Sequence, residues 1–479
     1  MTLHSDISAV KQPVAQAKGL PNAHYVDPAA FDEERKSVLF ANWSGIGFAK
    51  DVPNTGDVMP VDFLDIPLLI LRDHAGAVRV FQNTCRHRGM VLIDKPKNLS
   101  GTIRCPYHSW CYGLDGKLRS TPHVGGPGQN IHEDIKRNKL GLIEMRSHVW
   151  LGVVFVNVSG QAKKFDELHA ELVERWAEFD KPLYHSGADS SFTLDVNCNW
   201  KLAVENYCES YHLPWVHPGL NSYSRLEDHY NIEENGRYSG QGSFVYRQIR
   251  DDDGKIFPDF HGISSKWNTG SEYITVFPNV LMGVHRDHVY AIVLEPKEYG
   301  QTREHVEVFY ASGEAMGDGF SALRAKNTAQ WKEVFEEDIF VVEGMQKGRY
   351  GPFFDGGKFS PVMDGPTHVF HEWVAQNLDA GRDAVLEWAN WMTHYWQRMR
   401  EEIIQPWFAC IARLVRLFWK QMRCKGVFTL LRPMCLRWRL GWKMRRICAL
   451  CCLREGEKLR IKSIGLRQLF LWSPLSNNQ

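Results

Sequence analysis

The sequence predicts an α+β protein: an N-terminal all-β module, followed by a domain in which helices flank an antiparallel sheet. Three observations carry this expectation. From Trp43 to about Val158 the chain alternates short β-like runs, "IPLLILR", "VRVFQN", "GTIRCPYH" and "VWLGVVFVNV", with Gly, Pro, Asp and Asn between them. Between about Ser191 and Trp396, the strand-like runs "YITVFPNVLMGV", "VYAIVLEP" and "EHVEVFYAS" lie between helical patterns at Trp200–Tyr211 and Phe320–Gln346. There is no internal repeat, no G-x-G-x-x-G and no P-loop, so nothing points to a built-in nucleotide site.

In chain order, residues 1–40 read as a polar lead-in with a helix from Pro28 to Leu39. Residues 41–160 form the all-β module. Residues 161–404 form the second domain, which opens with a helical stretch at Phe165–Phe179. Residues 405–479 change composition abruptly. From Pro406 on there are 16 Lys/Arg against 2 Asp/Glu, a charge of +14, while the rest of the chain has 41 against 54, or −13.

The chain has 479 residues, 44% hydrophobic and 24% charged, which suits a globular protein with ample core. Met1 to Asn22 contains no apolar stretch of signal-peptide length. Eleven cysteines without an export signal read as thiols or metal ligands, so the expected location is the cytoplasm.

Two short clusters, Cys85-x-His87 and Cys105-x-x-His108, fall in the β-rich module with 17 residues between them. Two thiolates and two imidazoles can hold structural zinc. They can equally hold a [2Fe–2S] cluster, with one Cys and one His from each of two loops. Cys85, His87, Cys105 and His108, with Arg88-Gly89 and Pro106-Tyr107, resemble the Rieske signature. Met90 and Tyr107 stand where respiratory-chain Rieske proteins place a disulfide, so the likeness is to the ferredoxin and oxygenase branch. One departure is Ser109, where the family usually has Gly.

A second constellation lies in "NWKLAVENYCESYHLPWVHPGL". Glu205, Glu209 and His212 are spaced i, i+4, i+7, which puts all three on one helical face, and Pro214 then ends the helix and lets His217 swing back toward the same point. Two imidazoles beside a carboxylate suit Fe(II), leaving open positions for oxygen and substrate. The bland alternative is an amphipathic helix with solvated glutamates. With the Rieske-like module upstream, residues 20–400 resemble the α subunit of Rieske non-haem iron oxygenases. That resemblance implies a mononuclear iron held by His212 and His217. It implies Glu209 as a bridge from the iron to a cluster-binding His of a neighbouring subunit. The third ligand by the same resemblance is Asp338 in "WKEVFEEDIFVVEGMQKG", with Glu336 and Glu337 as rivals.

The resemblance further implies a homotrimer with electron transfer across the subunit interface, and a separate NAD(P)H-dependent flavin/iron–sulfur reductase. It implies a small-molecule substrate and O₂ as co-substrate. Glu at position 209 resembles the homotrimeric branch acting on quaternary ammonium compounds, so hydroxylation or oxidative N-demethylation of a betaine-like cation is expected. Hydroxylation of an aromatic ring or aromatic acid is the alternative, and a Rieske electron carrier without oxygenase activity is an alternative of another class. Tyr207, Tyr211, Trp215, Trp267 and Tyr273 are candidates for a cation–π cage. The basic, Cys/Trp-rich tail lies beyond the resemblance. Its expected reading is a segment outside the family fold, such as a displaced stop or altered frame would leave; membrane or nucleic-acid contact is less expected.

Overall fold

Ten strands occupy the first third of the chain in this computed structural model, which describes residues 6–233, 236–399 and scattered positions up to 413. They are β1 (Ser44–Phe48), β2 (Asp57–Phe63), β3 (Ile66–Arg72), β4 (Val78–Gln82), β5 (Lys97–Asn98), β6 (Thr102–Arg104), β7 (Cys111–Gly113), β8 (Leu118–Ser120), β9 (Glu144–Trp150) and β10 (Val153–Asn157). Seven of them form one antiparallel sheet in the order β1-β10-β9-β4-β3-β2-β5, while β6-β7-β8 make a small sheet of their own. Unbroken apolar runs mark strands buried on both faces: Leu68 to Leu71 in β3 and Val153 to Val156 in β10 are fully covered. The small sheet presents a loop between β6 and β7, and a second loop leaves β4 beside it.

The second sheet is an antiparallel array of β11 (Ser191–Val196), β12 (His229–Ile232), β13 (Tyr238–Ser243), β14 (Ser271–Val276), β15 (Val280–Val284), β16 (His288–Glu298) and β17 (Gln301–Tyr310). Its order is β11-β17-β16-β15-β14-β13-β12, so β12 to β17 run as a meander and β11 closes one edge. The two sheets are stitched by Asn279, fully buried, whose side-chain amide accepts from Gly45 N–H at 2.9 Å and donates to Gly45 O at 2.9 Å and Leu294 O at 2.8 Å. Glycine is required at 45 because a Cβ there would collide with the Val280 side chain.

Helices Trp200–Tyr207 and Ser321–Gly348 cover this sheet. The first is capped by Asn199, whose side chain accepts from Lys201 N–H at 3.1 Å. The second is long and mostly polar, and Trp331, Phe335 and Val342 form the stripe it buries. Asp338 completes that spacing (i, i+4, i+7, i+11), which turns it inward with the apolar residues, while Glu336 and Glu337 fall to either side.

Three helical expectations are corrected in detail. The predicted helix at Phe165–Phe179 breaks into Phe165–Leu168, Ala170–Arg175 and a 3₁₀ turn at Ala177–Phe179. The helix beginning at Pro28 runs to Glu34 and widens into a π turn over Arg35–Leu39. The helix expected to reach Tyr211 stops at Tyr207.

Helix Gly365–Met399 follows. No described helix is long and apolar enough to cross a membrane. The basic tail, expected from 405, lies almost wholly outside the described residues.

Candidate cluster loops and metal centre

The two Cys–His loops are built alike. In the first, Cys85 N–H donates to Met90 O at 2.8 Å and Gly89 N–H donates to Cys85 O at 3.1 Å; in the second, Cys105 N–H donates to Trp110 O at 2.8 Å and Ser109 N–H to Cys105 O at 3.0 Å. Each loop therefore turns back at its fourth residue after Cys, through the left-handed region: φ is +75° at Gly89 and +56° at Ser109. Serine thus occupies a position that glycine fits without strain.

Both sulfurs are buried in one apolar cluster with Phe81, Ile103, Trp110 and Tyr112. Burial pushes the Cys85 thiol up, the Tyr112 hydroxyl at 3.3 Å opposes this, and neighbouring Cys105 adds to the rise. The imidazoles lie nearer the surface, His87 exposed and His108 half-buried, with ring centroids 4.7 Å apart. His87 is braced by stacking on Trp110, at 4.8 Å and 10°. His108 Nδ1 is buried without a hydrogen-bond partner. Two buried sulfurs, two outward imidazoles and one unpartnered ring nitrogen fit a cluster whose thiolates lie inside and whose histidines face out.

The second constellation converges as well. His212, His217 and Asp338 each offer a ligand atom, and these atoms lie within 4.8 Å of one another; among the described residues this is the one such group of three or more. Asp338 Oδ1 is 3.1 Å from His217 Nε2 and 3.7 Å from His212 Nε2. Yet Asp338 Oδ1 is buried without a hydrogen bond. Three donors aimed at a common point, one of them an unpaired carboxylate oxygen, are what a cation between them would satisfy, and the 2-His-1-carboxylate set suits non-haem Fe(II).

Behind each imidazole stands a carboxylate. Glu209 takes His212 Nδ1 at 2.7 Å, and Glu337 takes His217 Nδ1 at 2.7 Å. Both Nε2 atoms are thereby left for the shared point. Burial alone would lower the His217 pKa, but Asp338 and Glu337 outweigh it and raise it. Glu337, a rival for the third ligand position in the sequence, instead orients His217. Glu336 pairs with Lys332 at 3.6 Å on the outer face of the helix.

Glu209 also explains why the helix ends early. Its carboxylate accepts the backbone N–H groups of Tyr211 and of His212, the latter at 3.2 Å, so a local turn replaces the next helical turn. Pro214 then opens the short helix Leu213–Val216 rather than closing the long one. Glu205 does not share the face: it is buried on the other side, bonded to Tyr25 Oη at 2.5 Å and Arg349 Nη2 at 3.3 Å.

Beside the His212–His217–Asp338 point is a cavity lined by Tyr207, Tyr273, Tyr290, Trp331 and Phe335. Of the five aromatics expected from sequence, Tyr207 and Tyr273 line it. Trp267 is packed against Phe179 in a separate apolar cluster, and Tyr211 and Trp215 point to solvent. Tyr290 and Trp331 come from elements too distant in sequence to be grouped with the histidines.

Comparison with known proteins agrees with this geometry. Residues 42–133 match the Rieske [2Fe-2S] domain family, and residues 184–380 match the ring hydroxylating alpha subunit (catalytic domain) family. The chain is 31% identical over 210 residues to the glycine betaine monooxygenase oxygenase subunit of Chromohalobacter salexigens, a match covering 44% of this chain and 45% of that one. It is 23% identical over 337 residues to the carnitine monooxygenase oxygenase subunit of Acinetobacter pittii, covering 68% of this chain and 84% of that one. Its fold resembles that of a quaternary ammonium Rieske monooxygenase, CntA, solved with L-carnitine: the TM-score is 0.62 at 20% identity, over 78% of this chain and 99% of that one. Oxygenase subunits of this kind take electrons from a separate reductase and form oligomers. With the Rieske domain, the catalytic domain and both donor sets in one chain, the protein belongs to the Rieske non-haem iron oxygenases, as an α subunit with a [2Fe–2S] cluster and a mononuclear iron.

Proposed function

We propose that this protein is a terminal oxygenase that uses O₂ and electrons from a separate reductase to hydroxylate or oxidatively N-demethylate a quaternary ammonium compound. The observation that carries the proposal is the convergence of His212, His217 and Asp338 beside a cavity walled by Tyr207, Tyr273, Tyr290 and Trp331. Aromatic faces attract a cationic nitrogen without hydrogen bonding to it. The relatives act on glycine betaine and carnitine, which points the same way.

In this reading Cys85, His87, Cys105 and His108 hold the cluster, in a domain spanning 41–160. His212, His217 and Asp338 hold the iron, in a domain spanning 161–404. Bound there, the cluster supplies single electrons and the iron supplies the centre at which oxygen is activated. Glu209 and Glu337 fix the His212 and His217 rings with Nε2 facing inward. Glu209 also offers the hydrogen-bonded route to a cluster-binding histidine of a neighbouring subunit in a homotrimer. The electron donor is an NAD(P)H-dependent flavin/iron–sulfur reductase. Cys111, Cys198 and Cys208, the described cysteines not assigned to the cluster, carry no disulfide, which fits a reducing cytoplasm.

The test is iron and acid-labile sulfide content with low-temperature EPR of the reduced protein, followed by oxygen uptake with glycine betaine, carnitine, choline and a set of aromatic acids. About three irons and two sulfides per chain are expected, with uptake driven by an ammonium compound. Zinc without sulfide, or uptake with aromatic acids alone, overturns the reading.

A further inference from the structure

Along β17 the residues facing the second sheet's core are Glu304, Val306, Val308 and Tyr310. A period of two that delivers Val, Val and Tyr to a core calls for an apolar residue at 304 as well. Glutamate stands there instead. It is 8% exposed, and its side chain has no hydrogen bond or ion pair with any described residue. Burial, with Asp338 adding to it, pushes its carboxyl up to about 8.

Glu304 faces a small chamber whose other walls include Val196, Ala203, Leu281, Ile292, Ile339 and Val342. This chamber shares Asn206, Tyr207, Phe335 and Asp338 with the aromatic cavity, so the two spaces adjoin at the metal point. No Lys or Arg lines either space among the described residues. Charging a carboxyl group that has no partner in aliphatic surroundings is costly, and a cation arriving beside it offsets that cost.

We propose that Glu304 is the counter-charge for the positively charged nitrogen of the substrate, holding it beside the His212–His217–Asp338 point while Tyr207 and Tyr290 cover its flank. The Tyr207 and Tyr290 hydroxyls meet at 3.0 Å, which keeps both rings in place. This assignment rests on the ammonium reading above and adds to it the residue that distinguishes a cation from a neutral molecule of the same shape.

The experiment compares wild type, Glu304→Gln and Glu304→Asp in the full-length protein. Binding is measured by calorimetry with choline, carnitine and glycine betaine, each beside its tert-butyl isostere, in which carbon replaces the charged nitrogen. Wild type binds at least one cation about tenfold or more tighter than its isostere. Glu304→Gln brings that ratio close to one, and Glu304→Asp retains part of it. In turnover the Gln variant loses more in KM than in kcat. Without ligand it melts at about the wild-type temperature, because the amide replaces a carboxyl group that burial already holds mostly neutral. An undiminished cation preference in Glu304→Gln overturns the assignment. So does a lowered melting temperature with both molecules of a pair weakened equally, which marks a structural residue. If wild type oxidises only aromatic acids, the ammonium reading fails and Glu304 with it; if it oxidises an ammonium compound at a KM that Glu304→Gln leaves unchanged, only the Glu304 assignment fails.

Discussion

Removing Glu337 tests whether His217 is poised by its neighbour. The carboxylate accepts from His217 Nδ1–H at 2.7 Å, and the imidazole is buried at 4% side-chain exposure, so a water can take the lost acceptor's place only from the exposed side of Glu337. In Glu337→Gln the amide oxygen still accepts, and only the charge-assisted part of the bond disappears, about 1 kcal/mol. Glu337 is itself 35% exposed, and solvent screening trims that figure. In Glu337→Ala the ring N–H is left unpaired and free to turn, at about 1–3 kcal/mol. Iron affinity should therefore fall up to about fivefold in the Gln variant and about tenfold to a hundredfold in the Ala variant. Competition against a chelator of known Fe(II) affinity reads both. Glu336→Ala is the matched control, since Glu336 pairs with Lys332 on the outer face, away from His217. If Glu337→Ala binds iron as tightly as Glu336→Ala, the orienting role is wrong.

Glu209→Gln keeps one acceptor oxygen, which can serve His212 Nδ1 or the Tyr211 and His212 N–H groups but not both, so cluster content should stay at the wild-type level while the turn around His212 loosens. Reoxidation of the reduced cluster during a single turnover should slow by about tenfold or more, and an unchanged rate would remove Glu209 from the electron route. Ser109→Gly relieves a left-handed backbone at φ +56° with no side-chain hydrogen bond to lose. The relief of about 1–2 kcal/mol, less about 0.4–1 for the more flexible unfolded chain, leaves a gain of roughly 0.5–1 kcal/mol in denaturant unfolding. His169, buried beside Phe165, is held down to about 4 by burial. Its folded pKa lies below the unfolded value of about 6.5, so its contribution is complete above that value and is lost as pH falls toward 4. The wild-type advantage over His169→Gln in urea should shrink by about 2 kcal/mol between pH 7.5 and pH 5; a constant gap would contradict burial of a neutral ring.

What the sequence disclosed was whatever sits close together in it. Cys85 and His87 are two residues apart and Cys105 and His108 three, so one turn each suffices to define the loops. Asp338 was named by the resemblance alone, with Glu336 and Glu337 as rivals; the spacing with Trp331 and Phe335 that sets it apart shows only once the buried stripe of the helix is known. The end of the helix Trp200–Tyr207 differs from the expectation because Glu209 spends its carboxylate on two backbone N–H groups, a competition that spacing does not reveal. The partners that tune the site were invisible for another reason: Glu337 meets His217 across 120 residues, and Glu304 approaches the metal point only because β17 lies against β11 and β16.

The same long-range contacts explain how an open metal site can be rigid. A metal centre with free positions cannot use its full set of ligands to define its walls, so the walls must be fixed from behind. Trp331 shows how. Its indole N–H donates to His288 Nε2 at 2.9 Å, His288 Nδ1–H donates to Asp287 at 2.8 Å, and Asp287 in turn accepts from Tyr246 Oη at 2.9 Å and Gln248 Nε2 at 3.1 Å. His288 and Asp287 are fully buried, so no solvent competes for their donors and acceptors, and the bonds support one another. In the turn between β15 and β16 His285 stacks on His288 at 4.3 Å and meets the Tyr273 hydroxyl at 3.3 Å, which fixes a second wall of the same cavity. Two aromatic surfaces are thus held by polar groups that never face the cavity. The substrate meets preset walls, and the conformational freedom left at the site belongs to the positions the protein leaves open on the metal.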